Sequence, residues 1–133
     1  MAQQHTVLFV DDDKLMRYVT ELSLEQNGLQ VISADGGQTA LELYSDHDTE
    51  IDLALIDIRM PIMDGVELYR QLRAINTNLP IVLCSGWAET EEVQPFLDTD
   101  DNLRFRGKPF CYESLSGLIE RMIERNSHYT DIG

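Results

Sequence analysis

The sequence predicts an α/β fold built on a parallel sheet, and three observations support this class. Short apolar runs of strand length alternate with stretches in which apolar residues recur at helix spacing. The apolar runs are nearly continuous, as in strands that helices cover on both faces. The alternation repeats five times along the 133 residues. We therefore expect five parallel strands and five helices joined by right-handed crossovers.

Five apolar runs are the predicted strands. The first, at 6–10, reads as a buried strand, and the third, at 53–56, is apolar throughout. The fifth, at 103–106, is the weakest. The second and fourth predicted strands are 29–33 and 80–84.

Four of the helices follow from periodicity. Leu15, Val19 and Leu22 recur at helix spacing, and Asn27-Gly28 marks the end of that first helix. The last helix has the clearest amphipathic pattern in the chain. The apolar positions that mark the second, third and fifth helices lie at 40–44, 68–75 and 115–123.

The fourth helix is the weakest of the five. Val93, Phe96 and Leu97 have helix spacing within 87–102, but Pro95 lies among them. A proline in a helix interior removes a hydrogen bond and costs about 3 kcal/mol. We therefore expect a short, irregular or mobile fourth helix.

Charge and composition exclude several classes of function. Ten Lys and Arg against 24 Asp and Glu give a net charge of −14. Such a chain repels phosphate backbones and anionic lipid, so we expect no direct nucleic-acid binding and no membrane binding. No apolar run approaches the ~20 residues of a membrane span, and the first residues do not resemble a signal peptide. We expect a cytoplasmic protein, and its two cysteines are no disulfide framework.

The length suits one ordinary domain. We place that domain at 1–126 and a C-terminal tail at 127–133, which is too short for a second domain. Any output function is therefore expected to belong to a partner.

Polar residues follow four of the five predicted strands. Asp11 and Asp12 follow the first strand, Asp57 the third, Ser85 the fourth and Lys108 the fifth. Ligands of open α/β sheets bind beyond the carboxyl ends of the strands. The central strands of such sheets are usually the first and third, which would bring the three aspartates together.

Three carboxylates in one crevice repel one another unless a cation lies among them. An all-oxygen ligand set suits Mg²⁺. A phosphoryl group could then bind the cation, with Ser85 and Lys108 holding its other oxygens. Asp57 would be the nucleophile, because a carboxylate can accept a phosphoryl group as a mixed anhydride.

Four stretches together resemble the receiver domain of two-component response regulators, over about residues 6–125. The resemblance is to single-domain CheY-like regulators and to receivers attached to hybrid sensor histidine kinases. It implies a flavodoxin-like sheet of strand order 2-1-3-4-5. The stretches that carry it are Val10-Asp11-Asp12-Asp13, residues 55–65, Ser85-Gly86 and Gly107-Lys108-Pro109-Phe110.

The resemblance assigns the chemistry at the third strand. It implies that Asp57 is the phosphoacceptor. It also implies that Asp11, Asp12 and Asp57 bind Mg²⁺ with the backbone carbonyl of Arg59.

The resemblance also assigns the residues of the response. Ser85 matches the hydroxyl residue that contacts the phosphoryl group and reorients on activation, and Lys108 matches the lysine that pairs with that group. Phe105 lies at the aromatic switch position. The bond preceding Pro109 is expected to be cis.

The resemblance implies a phosphoacceptor signalling domain rather than an enzyme with an external substrate. A histidine kinase or phosphotransfer domain would donate the phosphoryl group, and the altered surface would control a downstream protein target. The chain would catalyse only its own phosphorylation and dephosphorylation, as a monomer or weak dimer. The principal alternative is a degenerate receiver that binds partners without phosphorylation. A flavin carrier and a phosphatase fit poorly, because three aspartates would repel a flavin phosphate and no room remains for a cap domain.

Arg59 and Trp87 lie two residues after Asp57 and Ser85, respectively. Large or charged groups at these positions could screen an acyl phosphate from attacking water. We therefore hypothesise slow self-dephosphorylation.

Overall fold

A computed structural model of the chain describes the backbone of residues 4–86 and 91–132 and the side chains of the same ranges as far as Asn126. Strands and helices alternate as predicted. The strands are β1 Thr6–Val10, β2 Gln30–Ala34, β3 Ile51–Asp57, β4 Ile81–Ser85 and β5 Leu103–Gly107. The helices are α1 Lys14–Gln26, α2 Gly37–His47, α3 Gly65–Ile75, α4 Gln94–Thr99 and α5 Tyr112–Ile132.

The five strands form one parallel sheet of order β2-β1-β3-β4-β5, which confirms the expected topology. β1 and β3 are neighbours, and Val10 is paired with Ile56. Asp11 and Asp57 are the next residues of these two strands, so the register alone brings them to the same point of the carboxyl edge.

Each face of the sheet carries its own apolar core. Alternate side chains of a strand point to opposite faces, so Leu8 and Val10 enter one core while Val7 and Phe9 enter the other. The first core includes residues of α2 and α3, and the second includes residues of α1 and α5. This double cover explains why the strands read as continuous apolar runs.

Helix α1 is confirmed, but the apolar spacing that predicted it does not mark its buried side. Leu15 is 70% exposed and Leu22 is 42% exposed. The buried residues of α1 are Thr20 and Leu24. The Thr20 hydroxyl lies 2.9 Å from the Tyr112 hydroxyl, which joins α1 to the start of α5.

Helix α4 has only six residues, in agreement with the expected short element. Pro95, however, does not interrupt it. The proline lies in the first turn, where its missing N–H has no intrahelical partner to lose. The helix ends where the Asp100 N–H donates to the Phe96 carbonyl at 2.8 Å.

Helix α5 continues through Ile132 and so enters the predicted tail at 127–133. The division into a domain and a tail remains a prediction. Among the described residues, no helix is both long enough and apolar enough to span a bilayer.

Candidate functional site

Three aspartates converge at the carboxyl edge of β1 and β3. Ligand oxygens of Asp11, Asp12 and Asp57 all lie within 4.8 Å of one another. Asp11 is 1% exposed and Asp57 is 6% exposed, whereas Asp12 is open to solvent. Two buried carboxylates so close together require positive charge nearby.

Backbone contacts fix the Asp11 end of this cluster. The Asp11 N–H donates to the Ala34 carbonyl at 3.2 Å, and its own carbonyl accepts from Arg17 Nη1 at 2.8 Å. The Asp13 N–H donates to Asp11 Oδ1 at 2.9 Å. Arg17 carries no motif signal, and sequence reasoning missed it.

Asp13 is the N-cap of α1. Its Oδ1 accepts from the Leu15 and Met16 N–H groups at 3.0 and 3.2 Å. This cap satisfies two backbone N–H groups in the first turn of α1.

Lys108 supplies the positive charge. Its Nζ donates to Asp11 Oδ2 at 2.7 Å and lies 3.6 Å from Asp57 Oδ2. Burial alone would lower the pKa of this ammonium, but the hydrogen bond to Asp11 and the nearby carboxylates outweigh burial and raise the pKa above its ordinary value. Lys108 is therefore a permanent cation in this site.

A backbone hydrogen bond holds Lys108 beside the end of β4. Its N–H donates to the Ser85 carbonyl at 2.9 Å, which ties the loop after β5 to the end of β4. The Lys108–Pro109 peptide bond is cis.

Asp57 remains hard to ionise despite this neighbour. Burial raises the pKa of its carboxyl to about 6, with smaller contributions from Asp11 and Asp12. Lys108 and a hydrogen bond from the Arg59 backbone N–H act in the opposite direction and do not cancel the effect. A cation that compensated the acidic cluster would favour the ionised, nucleophilic form of Asp57.

Ser85 and Phe105 lie on the two strands beyond β3. Ser85 is buried at the end of β4, one residue after Cys84, which pairs with Asp57 across the sheet. Phe105 is half-buried on β5 and packs against the core beneath α3 and α4.

The loop between β3 and α3 approaches Asp57 closely from the other side. A Cβ on Gly65 would lie 2.4 Å from the Asp57 carbonyl oxygen, so only glycine fits there. Asp64 caps α3 by accepting from the Glu67 N–H at 2.9 Å. The Asp64-Gly65 pair thus lets α3 begin directly against the end of β3.

The Arg59 side chain reaches Glu92, with Arg59 Nη2 and Glu92 Oε2 4.0 Å apart. Both side chains are nearly half exposed, and sequence reasoning did not identify Glu92. Trp87, the other residue that the sequence links to slow self-dephosphorylation, lies outside the described residues.

The donor set fits a hard divalent cation. Its three members are carboxylates on two adjacent strand ends, two of them are buried, and a single ammonium offsets them. Carboxylate oxygens are the ligands that such cations select. The acidic cluster of Asp11, Asp12 and Asp57 could therefore hold a metal ion.

Comparison with known proteins agrees with the geometry. Residues 7–120 match the response regulator receiver domain family. The transcriptional regulatory protein CseB of Streptomyces avermitilis is 35% identical over 130 residues, which cover 96% of this chain and 53% of that protein. The sensor kinase CckA of Brucella abortus is 32% identical over 120 residues, which cover 90% of this chain and 13% of that protein.

A solved structure shows the same architecture. The response regulator receiver protein from Pseudomonas putida is 30% identical and superposes with a TM-score of 0.79, covering 91% of this chain and 99% of that one. The fold is that of a receiver domain of two-component response regulators. The chain belongs to the response regulator receiver domain family. It spans about half or less of the length of the curated relatives CseB and CckA.

Proposed function

We propose that this chain accepts a phosphoryl group on Asp57 from the phosphohistidine of a histidine kinase or phosphotransfer domain. One observation carries the proposal. The buried Asp57 carboxylate lies within reach of two further carboxylates and 3.6 Å from the Lys108 ammonium. This arrangement combines a nucleophile, a metal-binding set and a fixed cation at one strand edge.

The transfer is a displacement at phosphorus. An Asp57 carboxylate oxygen forms the new O–P bond while the P–N bond to the donor imidazole breaks, and the imidazole retains the electron pair. Lys108 and the Ser85 hydroxyl are suited to hold the phosphoryl oxygens as their charge shifts. Hydrolysis later returns the free carboxylate and inorganic phosphate.

Asp11, Asp12 and Asp57 would hold Mg²⁺, together with the Arg59 backbone carbonyl. When bound, the ion supplies charge neutralisation for the phosphoryl oxygens and for the aspartates. Asp12, the exposed member of the set, leaves the cluster accessible from solvent.

The response to phosphorylation would run through Ser85 and Phe105. An aspartyl phosphate beside Lys108 draws the Ser85 hydroxyl toward its oxygens. Phe105, which is half-buried two strands from β3, then moves into the space that Ser85 leaves. The outer surface near β5 changes, and a downstream partner distinguishes the two states.

The exposed apolar side of α1 suits the phosphodonor. Leu15, Tyr18, Val19 and Leu22 share one side of the helix and are all exposed. This α1 stripe begins two residues after Asp13, at the edge of the site. Exposed apolar patches of this kind mark protein-interaction surfaces.

Intact-mass spectrometry tests the proposal. The protein is incubated with acetyl phosphate and Mg²⁺, with parallel samples in EDTA. We expect one added phosphoryl group in the wild type with Mg²⁺, little in EDTA and none in Asp57→Asn. Asp46→Asn, which alters an exposed carboxylate of α2, is the matched control and should behave as wild type. An adduct that persists in Asp57→Asn, or no adduct in the wild type, would contradict the proposal.

A further inference from the structure

Arg17 joins the first turn of α1 to the residue that follows β1. Its side chain is half-buried, and its Nη1 donates to the Asp11 carbonyl at 2.8 Å. The two carboxylate oxygens of Asp11 already have other partners, since Oδ1 accepts from the Asp13 N–H and Oδ2 accepts from Lys108. The Arg17 guanidinium thus contacts a backbone carbonyl of the acidic cluster rather than one of its carboxylate oxygens.

The Asp11 carbonyl belongs to the peptide group that links Asp11 to Asp12. A peptide group is planar, so a hydrogen bond that fixes this carbonyl also fixes the direction in which the chain continues to the Asp12 Cα. The next peptide group is held as well, because the Asp13 N–H donates to Asp11 Oδ1 at 2.9 Å. Both peptide groups beside Asp12 are therefore fixed, one by Arg17 and the other by the Asp11 carboxylate.

Asp12 depends on its backbone for its position more than the other two aspartates do. Asp11 and Asp57 are buried, whereas Asp12 is exposed, so packing does little to hold its carboxylate. A ligand oxygen of Asp12 nevertheless lies within 4.8 Å of ligand oxygens of Asp11 and Asp57. A group that is already in place loses less freedom when it binds, so a fixed backbone at Asp12 favours ligation.

The charge of Arg17 alone would act against a metal site. A guanidinium beside three carboxylates repels an incoming divalent cation. A group that orients the ligands of a metal has the opposite effect and typically raises the affinity about 10- to 100-fold. Because the two effects differ in sign, the affinity for the ion shows which of them Arg17 exerts.

We propose that Arg17 is a positioning residue of the metal site, which holds the peptide group between Asp11 and Asp12 so that Asp12 is placed to ligate a divalent cation. The inference rests on the proposed function, since it assumes that the three aspartates hold Mg²⁺. In this role Arg17 touches neither the ion nor the reacting atoms. It determines how tightly the ion binds and not how fast a loaded site reacts.

A titration with MgCl₂, followed by the NMR shifts of the backbone amides, tests the inference without phosphorylation. Arg17→Met keeps an unbranched stem but loses the donor and the charge, and Arg17→Gln keeps an amide donor that is uncharged and shorter. Lys14→Met is the matched control, because it removes an exposed cation from the same turn of α1. A second measurement is the rate at which acetyl phosphate labels Asp57 at increasing Mg²⁺ concentration.

We expect the Kd of Mg²⁺ to rise about tenfold in Arg17→Met and in Arg17→Gln, and to stay within about twofold of wild type in Lys14→Met. The Mg²⁺ concentration that gives half the maximal labelling rate should rise by the same factor. The maximal rate itself should stay within about twofold of wild type, because the loaded site is intact.

An unchanged or lower Kd in the folded Arg17 variants would overturn the inference, even if these variants are less stable, since Arg17 would then only join α1 to β1. Arg17→Gln alone decides if Arg17→Met does not fold. A wild type that shows no Mg²⁺-dependent shifts would also overturn the inference. If Mg²⁺ binds as expected but acetyl phosphate adds no phosphoryl group to Asp57, the proposed function fails while the positioning role stands.

Discussion

The Lys108 ammonium forms a 2.7 Å ion pair with the buried Asp11 carboxylate and stands farther, at 3.6 Å, from Asp57. Asp11 is thus the closer partner of Lys108 in this structure. Asp57 has the weaker contact with Lys108, and its oxygens stay available for another cation. Because Lys108 is shared unequally, the folded site keeps negative charge that this ammonium does not fully compensate.

Removal of Lys108 should destabilise the metal-free protein. In Lys108→Met, Asp11 remains buried without its partner, and we expect a loss of about 2–3 kcal/mol in the free energy of unfolding. Mg²⁺ should restore more stability to the variant than to the wild type, because the ion compensates the same carboxylate. Urea unfolding in EDTA and in Mg²⁺ measures both effects. Equal stability of Lys108→Met and wild type in EDTA would show that the ion pair between Lys108 and Asp11 contributes nothing to the free energy of unfolding.

The raised pKa of Asp57 predicts a pH dependence of stability without divalent metal. The folded carboxyl titrates near 6 and the unfolded one near 3.8, so the folded state binds more protons between these values. Stability should therefore fall as pH rises from about 4 to about 6. Asp57→Asn should remove this loss, so above pH 6 its free energy of unfolding should exceed that of the wild type by about 1–2 kcal/mol. This figure includes a reduction for solvent screening.

Thermal unfolding in EDTA from pH 4 to pH 8 tests this linkage. The difference between Asp57→Asn and wild type should be near zero at the acid end and reach a plateau above pH 6. Added Mg²⁺ should shrink it. A stability difference between Asp57→Asn and wild type that is the same at every pH would mean that the gain does not come from the ionisation of Asp57.

A second polar cluster lies at the opposite end of the sheet and should govern stability rather than chemistry. Asp100 accepts from Arg73 Nε at 2.9 Å and from the Tyr69 hydroxyl, and Arg73 Nη1 also donates to the Leu79 carbonyl at 2.6 Å. Burial and the adjacent Asp100 raise the pKa of Tyr69 to about 12, so the phenol stays a donor at neutral pH. These contacts join α3 to the segment between α4 and β5.

Asp100→Ala should cost about 2–4 kcal/mol, because the largely buried Arg73 guanidinium loses its ion-pair partner and keeps only carbonyl contacts. Tyr69→Phe should cost only about 1 kcal/mol, the net contribution of one hydrogen bond. Chemical unfolding of both variants and the double variant gives the coupling energy. Additive losses would show that the two contacts are independent.

The ion pair between Arg59 and Glu92 bears on the lifetime of the phosphorylated state. Arg59→Asn should speed the decay of the aspartyl phosphate severalfold, because a large charged group two residues after Asp57 is lost. Glu92→Gln should have a smaller effect, at most about fivefold, since exposed ion pairs contribute about 1 kcal/mol or less. Intact-mass spectrometry measures both decays by following the loss of the phosphoryl group after the donor is removed. Unchanged decay in Arg59→Asn would refute the screening hypothesis.

Strand ends were the most predictable part of the molecule. Asp11, Asp57, Ser85 and Lys108 each follow an apolar run, and a parallel sheet brings the ends of its strands together whatever the loops do. The strand order came from the resemblance, because periodicity does not reveal which strands are neighbours.

Helix faces and loop contacts were less predictable for physical reasons. The spacing of Leu15, Val19 and Leu22 is the same for a core-facing stripe and for a partner-facing one. Ile62 has φ of +70° in the loop between β3 and α3, and an isoleucine gives no sequence signal of that conformation. Glu92 contacts Arg59 from a different loop. A local sequence pattern does not reveal which residues of separate loops meet in the fold.

Chemical mapping of the phosphoryl group shows directly whether Asp57 is the phosphoacceptor. Protein treated with acetyl phosphate and Mg²⁺ is reduced with borohydride, which converts an aspartyl phosphate to homoserine, and is then digested and sequenced by mass spectrometry. We expect homoserine at position 57 alone, and none in EDTA-treated protein. Homoserine at Asp11 or Asp12, or phosphate retained on a serine, threonine or histidine, would contradict it.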